Sequence, residues 1–190
     1  MTRQRPATSG GGEATAPATM RALVQKRYGT PEVLALTTVD LRAITAREVR
    51  VEAGAASLHP GDFYVMAGRP LLVRLVFGLR RPRRQTPGTD FAGVVCEVGE
   101  GVTSLSVGDR VFGWTTTGAL AETVTAREDT LVRMPDGLGA VEAAAVPTSA
   151  MTALQALRDV AQLRPGQTVL VNGASGGVGS FAVQIAAALG

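Results

Sequence analysis

The chain is short of the residues that build cross-linked or metal-held folds. Its 190 residues include one cysteine, Cys96, and one histidine, His59. A lone cysteine excludes an internal disulfide, and no Cys–Cys pair is present to hold a metal. Cys96 lies in the run Val94-Val95-Cys96, so it is expected to be a small buried hydrophobe. Long apolar runs are missing too. The longest, residues 71–79, carries Arg74 and falls short of the roughly 18–20 residues that cross a bilayer. Neither a membrane nor a nucleic acid is an expected partner. The basic residues lack the aromatic interleaving of a nucleic-acid surface, aromatics being only 4% of the chain. Acid is absent from one stretch: Arg69, Arg74, Arg80, Arg81, Arg83 and Arg84 crowd together with no Asp or Glu among them. Without these six the net charge of +3 would turn negative, so the basicity is one local cluster. It reads as a solvated loop or as a rim that attracts anions.

What is present is ordinary for a soluble globular protein with a sizeable core: 45% hydrophobic and 18% charged residues. Residues 1–19 are small, polar and aperiodic, which predicts a disordered extension. They lack the apolar centre of a signal peptide and the amphipathic pattern of a transit peptide, so a cytoplasmic location is expected by default. Short strand patterns separated by turn residues fill 20–134; in Glu48-Val49-Arg50-Val51-Glu52-Ala53, polar and apolar residues alternate with period two. Pro60-Gly61 breaks this pattern and begins a short helix, and residues 140–145 and 150–163 read as helical.

The most informative stretch is residues 167–190, QTVLVNGASGGVGSFAVQIAAALG. A short apolar β-type run, 168–171, enters a glycine-rich turn and then a helix whose Val178, Phe181, Ala182, Ile185 and Leu189 share one face. Ala174, Gly176 and Gly179 fall on the G-x-G-x-x-G spacing, with Ala in the first place. A helix N-terminus reached through such a turn presents unpaired N–H groups and a positive dipole end to a pyrophosphate. Ala174, Ser175, Gly176, Gly177, Val178 and Gly179 are therefore the cofactor-binding candidates; an ordinary βα turn is the competing reading.

The order of motifs resembles the medium-chain dehydrogenase/reductase superfamily, in its zinc-independent quinone oxidoreductase-like branch. The residues that carry this are MRALVQKRYGTPEVL, SLHPGDFY, PGTDFAGVVCEVGEGV, VGDRVFG, AAAVPTSAMTAL and VLVNGASGGVG, spread over 20–190. The resemblance implies a mostly β, GroES-like partly closed barrel over 20–147. A helical junction and the first strand–turn–helix of an α/β Rossmann domain, incomplete, follow over 148–190. It implies hydride transfer from NADPH, or NADH, to a small-molecule quinone, enone or carbonyl, and a homodimer for the full-length protein. An enoyl-thioester reductase of the same superfamily is the close alternative. Because the chain stops at Gly190, before a second strand, an inactive fragment or binding module is the alternative of another class. The chain alone is then expected to bind NADPH poorly.

The resemblance also assigns a site. His59, Asp62 and Tyr64 fall in the box where the zinc-free branch carries polar active-site residues. Tyr64 is expected to hydrogen-bond the substrate oxygen or the nicotinamide, unless it merely packs beside Phe63. His59 stands where the branch has asparagine and is read as a hydrogen-bond or proton donor, or as a neutral wall residue. Asp62 is expected to orient the box or cap the helix. Thr152 and Asn172 are expected near the cofactor. Zinc is not expected: His59 occupies the place of the first cysteine ligand, Thr89-Asp90 replaces the His-Glu pair, and the junction near Thr148 has no cysteine.

Overall fold

Period-two alternation in the first two-thirds of the chain becomes antiparallel sheet, and helical periodicity in the last third becomes a helix pair. The computed structural model describes residues 18–190, so the extension read over 1–19 lies outside the described residues as far as residue 17. At Thr19 the chain is already in a strand. β1 (Thr19–Gln25) pairs antiparallel with β2 (Leu34–Asp40), Thr19 opposite Asp40. Between them Thr30-Pro31 starts a single 3-10 turn, proline presetting its backbone angle.

The main sheet is five-stranded, in the order β6-β3-β4-β5-β7, from β3 (Glu48–Ala56), β4 (Asp90–Val98), β5 (Arg110–Trp114), β6 (Thr123–Arg127) and β7 (Leu131–Arg133). Every pairing is antiparallel, and the sheet does not close into a barrel. One face carries Val49, Val51, Phe91, Val95, Val111 and Val124, all at most 1% exposed. Burying each such side chain is worth about 1.5–3 kcal/mol. The other face is covered by α3 (Ala140–Ala144), whose Ala143 and Ala144 meet Ala92 and Met134. Alanines let this helix sit close on the sheet. α3 covers only the start of β4, so alternation then turns Val94 and Cys96 outward. The expectation of a buried Cys96 is corrected: its apolar neighbours belong to opposite faces of one strand.

From β3 the chain enters α1 (Pro60–Ala67), which ends on Gly68 in the left-handed conformation (φ 62°). The arginine-rich stretch holds a short helix, α2 (Val73–Phe77). Beyond the sheet come α4 (Pro147–Leu154), continuing as a π-helical turn over Gln155–Val160, and α5 (Gly177–Leu189). α4 and α5 pack through Ala153, Leu157 and Ala182, with Val171, Phe181 and Ile185 alongside. The strand expected at 168–171 does not form. A strand exists only through a hydrogen-bonded neighbour, and among the described residues none pairs with this run; Leu170 is 93% exposed.

Candidate active site

Two clusters carry the candidate residues. The first is the box at the N-terminus of α1. His59 is the N-cap residue, in an extended conformation, with Pro60 opening the helix. Asp62 is buried and returns its Oδ2 to the His59 backbone N–H at 3.1 Å, the reciprocal half of a capping box. Its Oδ1 accepts the Thr89 hydroxyl at 3.4 Å. Asp62 thus ties the start of α1 to Thr89, just before β4. The His59 Nε2 lies 3.4 Å from Asp62 Oδ2 but makes no hydrogen bond among the described residues, although it is buried. That leaves one imidazole nitrogen with unspent hydrogen-bonding capacity. Behind them sits Arg84, half-buried, whose guanidinium pKa is pulled down by burial against the opposing pull of the Asp62 charge.

Tyr64 is not part of that cluster. Asp62 and Met66 lie on the inward face of α1, while Phe63 and Tyr64 point away from it, 53% and 52% exposed. The two rings meet edge to face at 6.1 Å. Tyr64 instead lines a cavity of about 510 Å³ with Tyr28, Thr30, Phe63, Arg69 and Arg74. α1 therefore separates His59 and Asp62 from Tyr64, three residues that the sequence sets in one motif.

The second cluster is the glycine-rich turn. Gly173 takes φ 74°, open to glycine at no steric cost, and its carbonyl accepts the Gly176 N–H at 3.0 Å. Gly176 is the N-cap residue of α5, so the N–H groups of Gly177, Val178 and Gly179 belong to the first turn, which lacks intrahelical partners. Gly179 is buried, and a Cβ there would collide with the Gly173 carbonyl oxygen. Gly176 differs: its backbone is ordinary and a Cβ would find only van der Waals contact. Nothing inside the protein requires glycine at 176, whereas close approach of a ligand would. Ala174, Ser175 and Val178 are exposed around the same turn, as is Asn172 at its start. These features fit a dinucleotide pyrophosphate.

The turn is tied to the sheet through α4. A Cβ on Gly177 would lie 3.1 Å from the Ser149 Oγ. One residue earlier, Thr148 donates its backbone N–H (2.8 Å) and its hydroxyl (2.6 Å) to the two oxygens of Asp90, the first residue of β4, which is 2% exposed. A buried carboxylate thus caps α4 from across the fold. Thr152, expected at the cofactor, spends its hydroxyl on the Thr148 carbonyl at 2.7 Å, one turn back in the same helix. The structural role of Asp90 and Thr148 escapes a sequence reading, since no local pattern joins positions so far apart.

Comparison with known proteins bears on the fold and the family. The Alcohol dehydrogenase GroES-like domain family matches residues 45–136. The mouse quinone oxidoreductase is 36% identical over 179 residues, 93% of this chain and 52% of that protein. A mycocerosic acid synthase-like polyketide synthase from Mycobacterium tuberculosis is 41% identical over 143 residues, 75% of this chain and 6% of that protein. Among solved structures, CurK enoyl reductase superposes with a TM-score of 0.82 at 30% identity, covering 90% of this chain and 52% of that one. The chain spans about half the length of the quinone oxidoreductases it matches.

Proposed function

We propose a function from one premise: the chain belongs to the medium-chain dehydrogenase/reductase superfamily, on its quinone oxidoreductase-like side. The full-length protein is an NADPH-dependent oxidoreductase, with NADH as the alternative donor, that reduces a small-molecule quinone, enone or carbonyl without zinc. The observation that carries this reading is the turn 173–179, with its ligand-facing Gly176, held against the sheet domain through Ser149, Thr148 and Asp90.

A bound nicotinamide supplies a hydride, and with it two electrons, to the acceptor. The residues of this chain do the rest. The first-turn N–H groups of α5 hold the pyrophosphate. Tyr64, whose hydroxyl has no protein partner among the described residues, donates a hydrogen bond to the acceptor oxygen and then the proton that completes the reduction. Half exposed, it regains that proton from water. His59, on the other side of α1 from Tyr64, offers the carboxamide its Nε2, which makes no hydrogen bond among the described residues, and Asp62 holds the His59 backbone in place. Zinc independence rests on the donor set: the one histidine is in the α1 box and the one cysteine on the outer face of β4. A homodimer in the cytoplasm, acting on small molecules and not on nucleic acid, completes the reading.

The test is NADPH oxidation by the full-length protein with a quinone and, separately, with an enoyl-CoA. Faster turnover of the quinone, undiminished by a zinc chelator, is the expected result. Preference for the enoyl-CoA would install the thioester reductase in its place, and no oxidation with either acceptor would overturn the whole reading.

A further inference from the structure

The cavity around Tyr64 has walls of two chemistries. Tyr28, Phe63 and Tyr64 supply aromatic faces suited to a flat conjugated acceptor. Arg69 and Arg74 supply positive charge, and none of the ion pairs among the described residues involves either of them. Arg74 is held rigidly. Its guanidinium stacks on the Tyr28 ring, 4.6 Å from the centroid, and its Nε donates to the Gly68 carbonyl at 3.0 Å. Tyr28 is anchored in turn by its hydroxyl, which donates to the Gly78 carbonyl at 2.6 Å. The two terminal nitrogens of Arg74 and the whole Arg69 guanidinium are left without a hydrogen-bond partner among the described residues. No carboxylate lines the cavity among the described residues. A pre-oriented guanidinium beside a second one matches the two oxygens of a carboxylate or phosphate.

We infer that this cavity selects acceptors that carry an anionic group, carboxylate or phosphate, next to the conjugated double bond or ring that is reduced. The inference rests on the oxidoreductase reading and on Tyr64 facing the acceptor. Arg74 is fixed by the backbone and Tyr28, so it sets where the anion lies. Arg69, exposed, lines the same cavity and adds a second positive charge. The arginine-rich stretch is then divided in function: its first two arginines belong to the site, and Arg80, Arg81 and Arg83 to the solvent-facing turn that follows.

Matched acceptor pairs test this on the full-length protein: cinnamaldehyde against 4-carboxycinnamaldehyde for a carboxylate, and 4-hydroxycinnamaldehyde against its 4-O-phosphate ester for a phosphate. Affinity is read by titration calorimetry, which needs no turnover, and reduction of the neutral members is followed separately. At least one anionic member is expected to bind roughly tenfold tighter than its neutral partner, the gain of a charge-assisted hydrogen bond. Whichever pair shows the gain identifies the anion. In Arg69→Gln, whose side chain supports no other contact, the gain is expected to shrink at least about threefold with thermal stability unchanged. Arg74→Lys, which keeps the charge but not the fork, is expected to weaken anion binding as well. Equal affinity within both pairs, or a gain that survives Arg69→Gln undiminished, would overturn the inference. Selective anion binding with no reduction of any acceptor would instead sink the oxidoreductase reading.

Discussion

Asp90→Ala tests the joint between the sheet and the helix pair. The side chain is 2% exposed, and both its oxygens accept from Thr148, at 2.8 and 2.6 Å. Hydrogen bonds to a charged group contribute about 1.5–3 kcal/mol each, and a carboxylate at a helix N-terminus adds roughly 0.3–1. The pair shares one carboxylate whose burial has its own cost, so the sum is not realised in full. A loss of about 3–4 kcal/mol is the reasoned expectation for Asp90→Ala. At roughly 2–4 °C per kcal/mol for a chain of this size, Tm should fall by about 6 °C or more. Thr148→Val removes only the hydroxyl bond and should cost about 1–2 kcal/mol. The double variant should cost less than the sum of the two, because the second change removes a partner already lost. Differential scanning calorimetry gives the stabilities, and hydrogen exchange gives the location. Amides at the start of α4 should lose protection in Asp90→Ala while those of β3 keep theirs. A Tm change below about 2 °C, or strictly additive variants, would refute the claim that this contact joins the two parts.

Two further substitutions have contrasting signatures. Gly179→Ala forces the Gly173 carbonyl to move and should lower both Tm and cofactor affinity. Gly176→Ala makes only van der Waals contact with the Gly173 carbonyl, so Tm should hold while NADPH affinity of the full-length protein falls at least about tenfold by calorimetry; equal Tm losses would contradict this. Glu48 predicts an acid limb. Hydrogen bonding to Arg42 lowers its carboxyl from the ordinary value of 4.5 to about 2, so its contribution is present above the unfolded value and lost as pH falls from 4.5 towards 2. Arg42 is 46% exposed, which limits the pair to about 1 kcal/mol. The Tm difference between the parent and Glu48→Gln should therefore be steady at neutral pH and vanish between pH 4.5 and 2; a constant difference across that window would remove the linkage.

The parts of the fold that were legible in the sequence are those specified by neighbours in the chain. Alternation in 48–53 and the Pro-Gly and Gly turn signals place strands close to where they lie, and Phe181, Ala182, Ile185 and Leu189 of α5 do pack inward, while Val178 of the same expected face is exposed. The glycine spacing finds the turn. Non-local facts escape. Residues 168–171 read as a strand because composition reports β preference, while a ladder requires a partner. Cys96 reads as core because the eye groups consecutive apolar residues, whereas the sheet sorts them by parity. His59 and Tyr64 share a motif but not a face of α1, and the arginine stretch conceals a helix and two cavity residues among solvated ones. Asp90 and Thr148 meet only when the chain has folded.

The strand order of the main sheet bears on how quickly the protein reaches this state. No two neighbours in it are joined by a tight hairpin: Ala56 finds Phe91 across all of α1 and α2, and Glu48 finds Arg127 across most of the domain. β4, the central strand, meets β5 across the nearer connection 99–109 but must wait for β3 across residues 57–89, a long loop closed before that ladder rewards it. Such topologies fold on the order of milliseconds to seconds. The α4–α5 pair closes across residues 161–176, a shorter separation than that between β3 and β4, and can form earlier. During that interval the apolar run of β4, Val94-Val95-Cys96, is uncovered, so the slowest step of folding is also the one most exposed to competition from self-association.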